Sequence, residues 1–354
     1  MRDRTKLSLW AGAALSLLAV NAYFVAGKRT NNDNSARESA RATPARSAPA
    51  RAAANRESDP EEEESVVAEL SDADPATALA RKGKARAPAL ADLAVLISVD
   101  GLRPDVVFPH ALRIHRLQLE GAWAPVARTA SKSSTLPSHA SMVSGVDFQR
   151  HGLGFNAYRP ERGNIQYPTI FSAAQKAHLT TAMFVGKRKL EHLLDPGSQV
   201  RFAVGGVRCS RVTKLAIPYL QSAEPGVVFL HFSDPDNAGH QFGWMTDEYM
   251  AAVKRADYCV GQVMEALKAH PGWERTLLVL TSDHGGHGHD HAAPIPPDTH
   301  IPWVAWGGAA AKTTRVRRMV STTDTAATIL YALGLPMPAD IEGRPVLEAL
   351  RARP

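Results

Sequence analysis

Cysteine is nearly absent from this chain: 354 residues contain two, Cys209 and Cys259, far apart and in no zinc-like spacing. A cysteine-built zinc motif is thereby removed from consideration. The pair is compatible with a disulfide in an exported protein and equally with two buried thiols. Charge is also sparse, 21% of residues against 44% hydrophobic. The chain can therefore bury a sizeable core, although its first stretch of about ninety residues looks unlike core; roughly 260 residues remain, which suits one large domain. A formal charge of +6 and a pI near 9.4 invite a nucleic-acid reading. The basic excess is concentrated between Lys28 and Arg56, however, and no aromatic-basic pattern builds a nucleic-acid groove.

What is present begins with a targeting element. Arg2, Arg4 and Lys6 precede an uncharged segment, Leu7 to Gly27, which ends at Lys28 and Arg29. About 20 apolar residues exceed a signal-peptide core and suit a membrane helix. Residues 1–29 are thus read as an uncleaved signal anchor, with cleavage near Ala22 or Ala26 as the alternative that would release a secreted domain. Residues 30–89, rich in Ala, Arg, Ser, Pro and Glu and passing from basic to acidic, read as a disordered tether. Residues 90–354 form the expected folded domain, standing on the periplasmic or extracellular face of a membrane.

Within that domain three apolar runs each end in metal-binding residue types. Leu93–Val99 runs into Asp100 and Gly101; Val227–Phe232 runs into Asp236 and His240; Leu277–Leu280 runs into Asp283 and His284. Continuous apolar runs suit strands covered on both faces. In open α/β sheets the chemistry sits just beyond the carboxyl ends of such strands. Carboxylate oxygen and imidazole nitrogen are the usual oxygen and nitrogen ligands of zinc. His300, before another apolar run, can return to the same sheet edge. His231, inside its run, reads as a satisfied core histidine; His287, His289 and His291 read as supporting, substrate-facing or merely polar loop residues. The hydroxyl-rich stretch Thr129–Gly145 offers Thr135 and Ser138 at a helix start, where each is either a nucleophile favoured by free N–H groups and the helix dipole, or a plain cap. Helices are expected from about Thr169 to His178, Asp247 to Ala269 and Ser321 to Leu333. Thr181–Val185 reads as a strand, and Val204–Thr213 carries no strong signal.

The ordered set SVDGLRPD (98–105), TLPSHASMVSG (135–145), DPDNAGH (234–240), TSDHGGHG (281–288), THIPW (299–303) and TTDTAATIL (322–330) resembles the alkaline phosphatase superfamily, most closely its nucleotide pyrophosphatase/phosphodiesterase-like branch. The resemblance implies an α/β fold with a mostly parallel central sheet and helices on both faces. It also implies two zinc ions, one held by Asp236, His240 and His300 and the other by Asp100, Asp283 and His284. Thr135 then stands at the nucleophile and metal-contacting position and Ser138 at a substrate-binding position, where the family's eukaryotic members carry Asn. The implied reaction cleaves a phosphodiester or pyrophosphate in a small-molecule substrate through a phospho-threonine. Phosphonate or phosphomonoester hydrolysis, a membrane-anchored phosphoryl transfer and a non-catalytic binding role are the alternatives. A sulfatase would need Cys or Ser in a C/S-x-P-x-R context at the nucleophile position, where this chain has Thr135, Pro137 and His139.

Overall fold

The computed structural model describes residues 88–130 and 132–352. The expected anchor at 1–29 and nearly all of the expected tether at 30–89 lie outside the described residues. Among the described residues no helix is long and apolar enough to cross a membrane. The chain runs through β1 (Leu93–Val99), α1 (Val107–His110), α2 (Leu112–Glu120), β2 (Ala122–Arg128), α3 (Thr135–Ser144) and α4 (Phe148–His151). It continues with α5 (Ile170–Lys176), β3 (Thr180–Val185), β4 (Arg201–Val204), α6 (Cys209–Gln221), β5 (Gly226–Phe232), α7 (Asp234–Phe242) and α8 (Asp247–Lys268). The last elements are β6 (Thr276–Thr281), α9 (Pro296–Thr299), β7 (His300–Trp306), β8 (Thr314–Arg315), β9 (Val320–Ser321) and α10 (Asp324–Ala332).

The strands form one sheet in the order β4-β3-β5-β1-β6-β7-β2-β8, with β9 also pairing β2. The pairs β3–β4, β3–β5, β5–β1 and β1–β6 are parallel, and only β7 runs antiparallel to its neighbours β6 and β2. The three apolar runs are adjacent central strands because each is buried on both faces. Leu93, Val95, Ile97 and Val99 point to one face, where α2, α6 and α8 supply Ile114, Leu117, Val212, Val253, Val260 and Leu267. Ala94 and Leu96 point to the other, where α3, α5 and α10 supply Leu136, Ala140, Phe171 and Ile329. Helices thus cover both faces of a mostly parallel sheet, as the sequence implied.

Local signals account for most element boundaries. Thr169 caps α5 with a reciprocal Ser172 bond, and the Thr246 hydroxyl accepts from Tyr249 N at the start of α8. Helix α6 is the main element without a sequence signal. It carries Pro218 in its C-terminal half, a residue costing ~3 kcal/mol in a helix interior, and it is held by the buried face Cys209, Val212, Ala216 and Leu220. Of the two states open to the cysteines, the structure has the disulfide, Cys209–Cys259, joining α6 to α8.

His151 gives a stability test that is independent of any ligand. It ends α4 fully buried, Leu153 N donates to its Nδ1, and its Nε2 meets the Ser141 hydroxyl. Burial pushes it down to about 4 from 6.5. A histidine depressed in the folded state stabilises fully above pH 6.5 and loses that contribution as pH falls toward 4, about 3 kcal/mol in all. Urea unfolding at pH 7 and pH 4 should therefore show the parent protein losing 2–3 kcal/mol more than His151→Asn, about the full linkage contribution; equal losses would contradict the assignment.

Candidate metal centre

The parallel register brings the strand ends level. Val99 pairs with Phe232 and Ser98 with Thr281, so the residues that follow β1, β5 and β6 leave the sheet at one height. Backbone bonds then lock the turns together: Asp100 N donates to Phe232 O (2.9 Å), Asp236 N to Asp100 O (3.1 Å) and Gly101 N to Asp283 Oδ1 (3.2 Å). Gly101 is required here. Its φ is +70°, and a Cβ would lie 2.9 Å from the Asp236 Cα. Trp244, whose indole donates to Gly101 O, wedges against Gly239 and Gly286 and so seats α7 beside the loop after β6.

Each of the three carboxylates has one oxygen held by donors and one left bare. Asp100 Oδ2 accepts from His231 Nε2 (2.9 Å) and faces Lys187 Nζ (2.8 Å); Asp236 Oδ2 accepts from the same ammonium (2.5 Å); Asp283 Oδ1 accepts from Gly101. The remaining oxygens, Asp100 Oδ1, Asp236 Oδ1 and Asp283 Oδ2, are buried without a hydrogen-bond partner, and so is His284 Nε2. His284 Nε2 stands 3.2 Å from Asp283 Oδ2, 3.4 Å from Asp100 Oδ1 and 3.9 Å from Asp236 Oδ1. Native proteins rarely orphan buried polar atoms, so four of them converging fit a cation.

The imidazoles are oriented in the same sense. Nδ1 of His284 donates to Gly285 O (2.9 Å), that of His240 to His289 O (3.0 Å) and that of His291 to Ser133 O (2.7 Å). A carbonyl can only accept, so each Nε2 keeps its lone pair for a metal, the usual support of a ligating histidine. Nε2 of His240 and His291 lie 3.5 Å and 4.0 Å from Asp236 Oδ1. Two overlapping donor groups result, Asp236 with His240 and His291, and Asp100 with Asp236 and His284.

The electrostatics follow from three buried carboxylates around one lysine. Burial would raise Asp100, but the Lys187 ammonium, with His231 and His284, holds it well below the usual range. Asp236 is drawn down to about 2, Lys187 and His284 overcoming burial and the Asp100 charge. Asp283, more weakly served by Lys187, is raised well above its ordinary value by burial and by its two anionic neighbours. Burial and His291 push His284 down to about 3, so the ring is neutral and ready to ligate. His139 lies 3.5 Å from Asp283, yet burial depresses the one and raises the other. His139 Nδ1 donates instead to Thr135 O at 2.7 Å.

Thr135 opens α3, 1% exposed, on a helix start tied to both donor groups. Ser133 O accepts from His291 on one side, and Ser138 Oγ donates to Asp283 O (2.7 Å) on the other. Ser138 is fully buried, with its hydroxyl shared between Asp283 O and Thr129. His300 stands apart from both donor groups. It opens β7 opposite Arg128, its Nε2 has no hydrogen-bond partner, and it belongs to neither donor group. The antiparallel pairing of β7 with β2 fixes it there, while the loop after β6 folds back and delivers His291 instead. Asp100, Asp236, His240 and His284 do come together, with Asp283 against His284.

Three contributors were not assigned to the site from the sequence. His291 was lost among its histidine neighbours. Lys187 follows Gly186 at the carboxyl end of β3, the same position that exposes the aspartates. Asn156, whose Oδ1 accepts from Leu136 N (2.9 Å), had no signal. His231 is the satisfied core histidine expected, and what satisfies it is Asp100.

The sequence model described as Type I phosphodiesterase / nucleotide pyrophosphatase matches residues 94–317. Among curated proteins, ectonucleotide pyrophosphatase/phosphodiesterase family member 7 of Rattus norvegicus is 25% identical over 227 residues, covering 54% of this chain and 49% of its own length. The chain thus spans about half the length of the curated relatives of this kind that it matches. Among solved structures, an inactive murine ectonucleotide pyrophosphatase/phosphodiesterase 5 in complex with AMP superposes with TM-score 0.60 at 14% identity, over 69% of this chain and 96% of that one. A 2-O GAG sulfatase superposes with TM-score 0.62 at 18% identity, over 73% of each chain. At these identities the structural likeness shows the fold.

The donor grouping predicts which histidine matters. Metal-to-protein ratios measured after zinc loading and desalting should fall in His291→Ala and stay at the parent value in His300→Ala. A loss confined to His300→Ala would contradict the grouping.

Proposed function

Because the chain belongs to the type I phosphodiesterase/nucleotide pyrophosphatase family, we propose that its folded domain is a metal-dependent phosphoric ester hydrolase, cleaving phosphodiester or pyrophosphate bonds through a covalent phospho-threonine. The observation that carries this reading is the convergence of bare, buried donor atoms beside the start of α3. Asp100, Asp283 and His284 would hold one divalent ion and Asp236, His240 and His291 the other. Mixed carboxylate and imidazole sets suit zinc. When bound, such ions supply the Lewis-acid charge that lowers a hydroxyl's pKa and neutralises developing oxyanions.

The chain's own residues do the remainder. Thr135 Oγ gives up its proton and attacks phosphorus in line, and the bond to the leaving oxygen breaks, that oxygen taking a proton from solvent. Water then attacks the phospho-threonine, restoring the hydroxyl and releasing the phosphoryl product. The α3 N-terminus favours negative charge at this point. Asn156, with Oδ1 engaged by Leu136 N, keeps both amide N–H bonds for a phosphoryl oxygen. The name of the rat relative supports a diester or pyrophosphate substrate. A second reading, phosphomonoester or phosphonate hydrolysis, would use the same donor set.

Membrane anchoring through Leu7–Gly27 and a periplasmic or extracellular domain belong to the same proposal. They are supported by the uncharged N-terminal segment and by the Cys209–Cys259 disulfide, a bond that persists in oxidising compartments. Protease added to spheroplasts, with the outer envelope opened and the inner membrane intact, should digest the domain; protection until the inner membrane is lysed would place it in the cytoplasm and overturn this part.

The activity is tested with the detergent-solubilised full chain on bis-p-nitrophenyl phosphate, p-nitrophenyl phosphate and p-nitrophenyl sulfate. We expect zinc-dependent diester cleavage that Thr135→Ala lowers by roughly 10³-fold or more while its metal content holds. Preferred monoester cleavage would support the second reading, and silence on all three with metal bound would contradict both.

A further inference from the structure

Helix α7 carries two donors of one metal group, Asp236 and His240, and its anchorage is built from residues outside the centre. Asp234, the first residue of α7 and two before Asp236, is buried. Its Oδ2 accepts from Cys209 N at the start of α6 (2.8 Å), and its Oδ1 faces Arg255 Nε on α8 (3.6 Å). Cys209 is bonded to Cys259, one helical turn beyond Arg255, and its sulfur lies 3.4 Å from Arg255 O. Three helices are thereby closed into a triangle: α6 to α7 through Asp234, α7 to α8 through Arg255, α8 back to α6 through sulfur. Ser233, just before α7, adds a bond to Val207 O (3.2 Å). The 50-residue separation of the cysteines encloses β5 and α7 entire. The other ion would be held by Asp100, Asp283 and His284, which follow β1 and β6 and lie outside that loop, although Asp236 borders both donor groups.

We propose that the Cys209–Cys259 disulfide, acting through Asp234, is a positioning device for the Asp236–His240–His291 metal group and sets how firmly that group retains its ion. This rests on the metal-dependent reading of the centre. Ligand geometry held within a fraction of an ångström depends on supporting residues whose own positions are fixed. Without the covalent tie the α6 terminus is free to drift from Asp234, and α7 shifts relative to the loop that carries His291. Asp100, Asp283 and His284 keep their own backbone ties to the sheet.

The test measures zinc release from the zinc-loaded full chain into a chromophoric chelator, for the parent, for Cys209→Ala/Cys259→Ala and for Asp234→Asn with the disulfide intact. Circular dichroism checks folding. The parent is expected to release two equivalents slowly. Each variant should release one equivalent about tenfold faster or more and the second at the parental rate. Equal release of both equivalents at the parental rate, or equal acceleration of both, overturns the proposal, the latter marking a merely structural bond. If the double cysteine variant does not fold, Asp234→Asn decides alone. A parent that binds no zinc overturns both this proposal and the metal-dependent reading, whereas two firmly bound ions with unaltered variants overturn this proposal only.

Discussion

Everything in the centre depends on three aspartates being buried together where parallel strands end. Moving even one carboxylate out of water costs several kcal/mol after relaxation, and the three repel each other as well. The fold offsets this on one side of each group only, with the Lys187 ammonium, the His231 ring and the Gly101 N–H. The opposite oxygens are left bare, and the neutral His284 ring faces them. A site prepared in this way is stabilised by a divalent cation more than by any rearrangement of its own side chains. The raised pKa of Asp283 expresses the same frustration, because one cation cannot serve three anions.

The surrounding structure is explained by the need to hold those groups still. Glycine at 101, 239 and 286 lets backbone and the Trp244 indole approach within distances that a side chain would block. Carbonyl partners fix the tautomers of His240, His284 and His291. The start of helix α3 is held on two sides, by Ser133 O on His291 and by Ser138 on Asp283 O, so Thr135 stands on a fixed helix terminus. Serine at 138 is thus a strut of the helix.

Much of this was legible in the sequence, for a definable reason. Asp100, Asp236, Asp283 and His284 follow short apolar runs, and such runs become central strands whose carboxyl ends share one edge. Helix α8 was legible from its apolar spacing. The pattern fails where position depends on how a loop folds back. His300 looks apt because it adjoins a strand, but that strand is antiparallel and pairs it with Arg128; His291 reaches Asp236 through a loop whose path no local signal records. Ser138 depended on helical phase, which the motif does not convey. Lys187 obeys the strand-end rule as well as any aspartate, but an ammonium is no metal ligand and its partners become visible only in the fold. Helix α6 stayed hidden behind Pro218 and a buried face made partly of cysteine and alanine.

The most direct test of the account is anomalous diffraction at the zinc edge from crystals of the zinc-loaded protein. Two peaks are predicted, one among Asp236, His240 and His291 and one among Asp100, Asp283 and His284. Zinc ligated by His300 with His291 unengaged, or no ordered zinc beside Thr135, would contradict it.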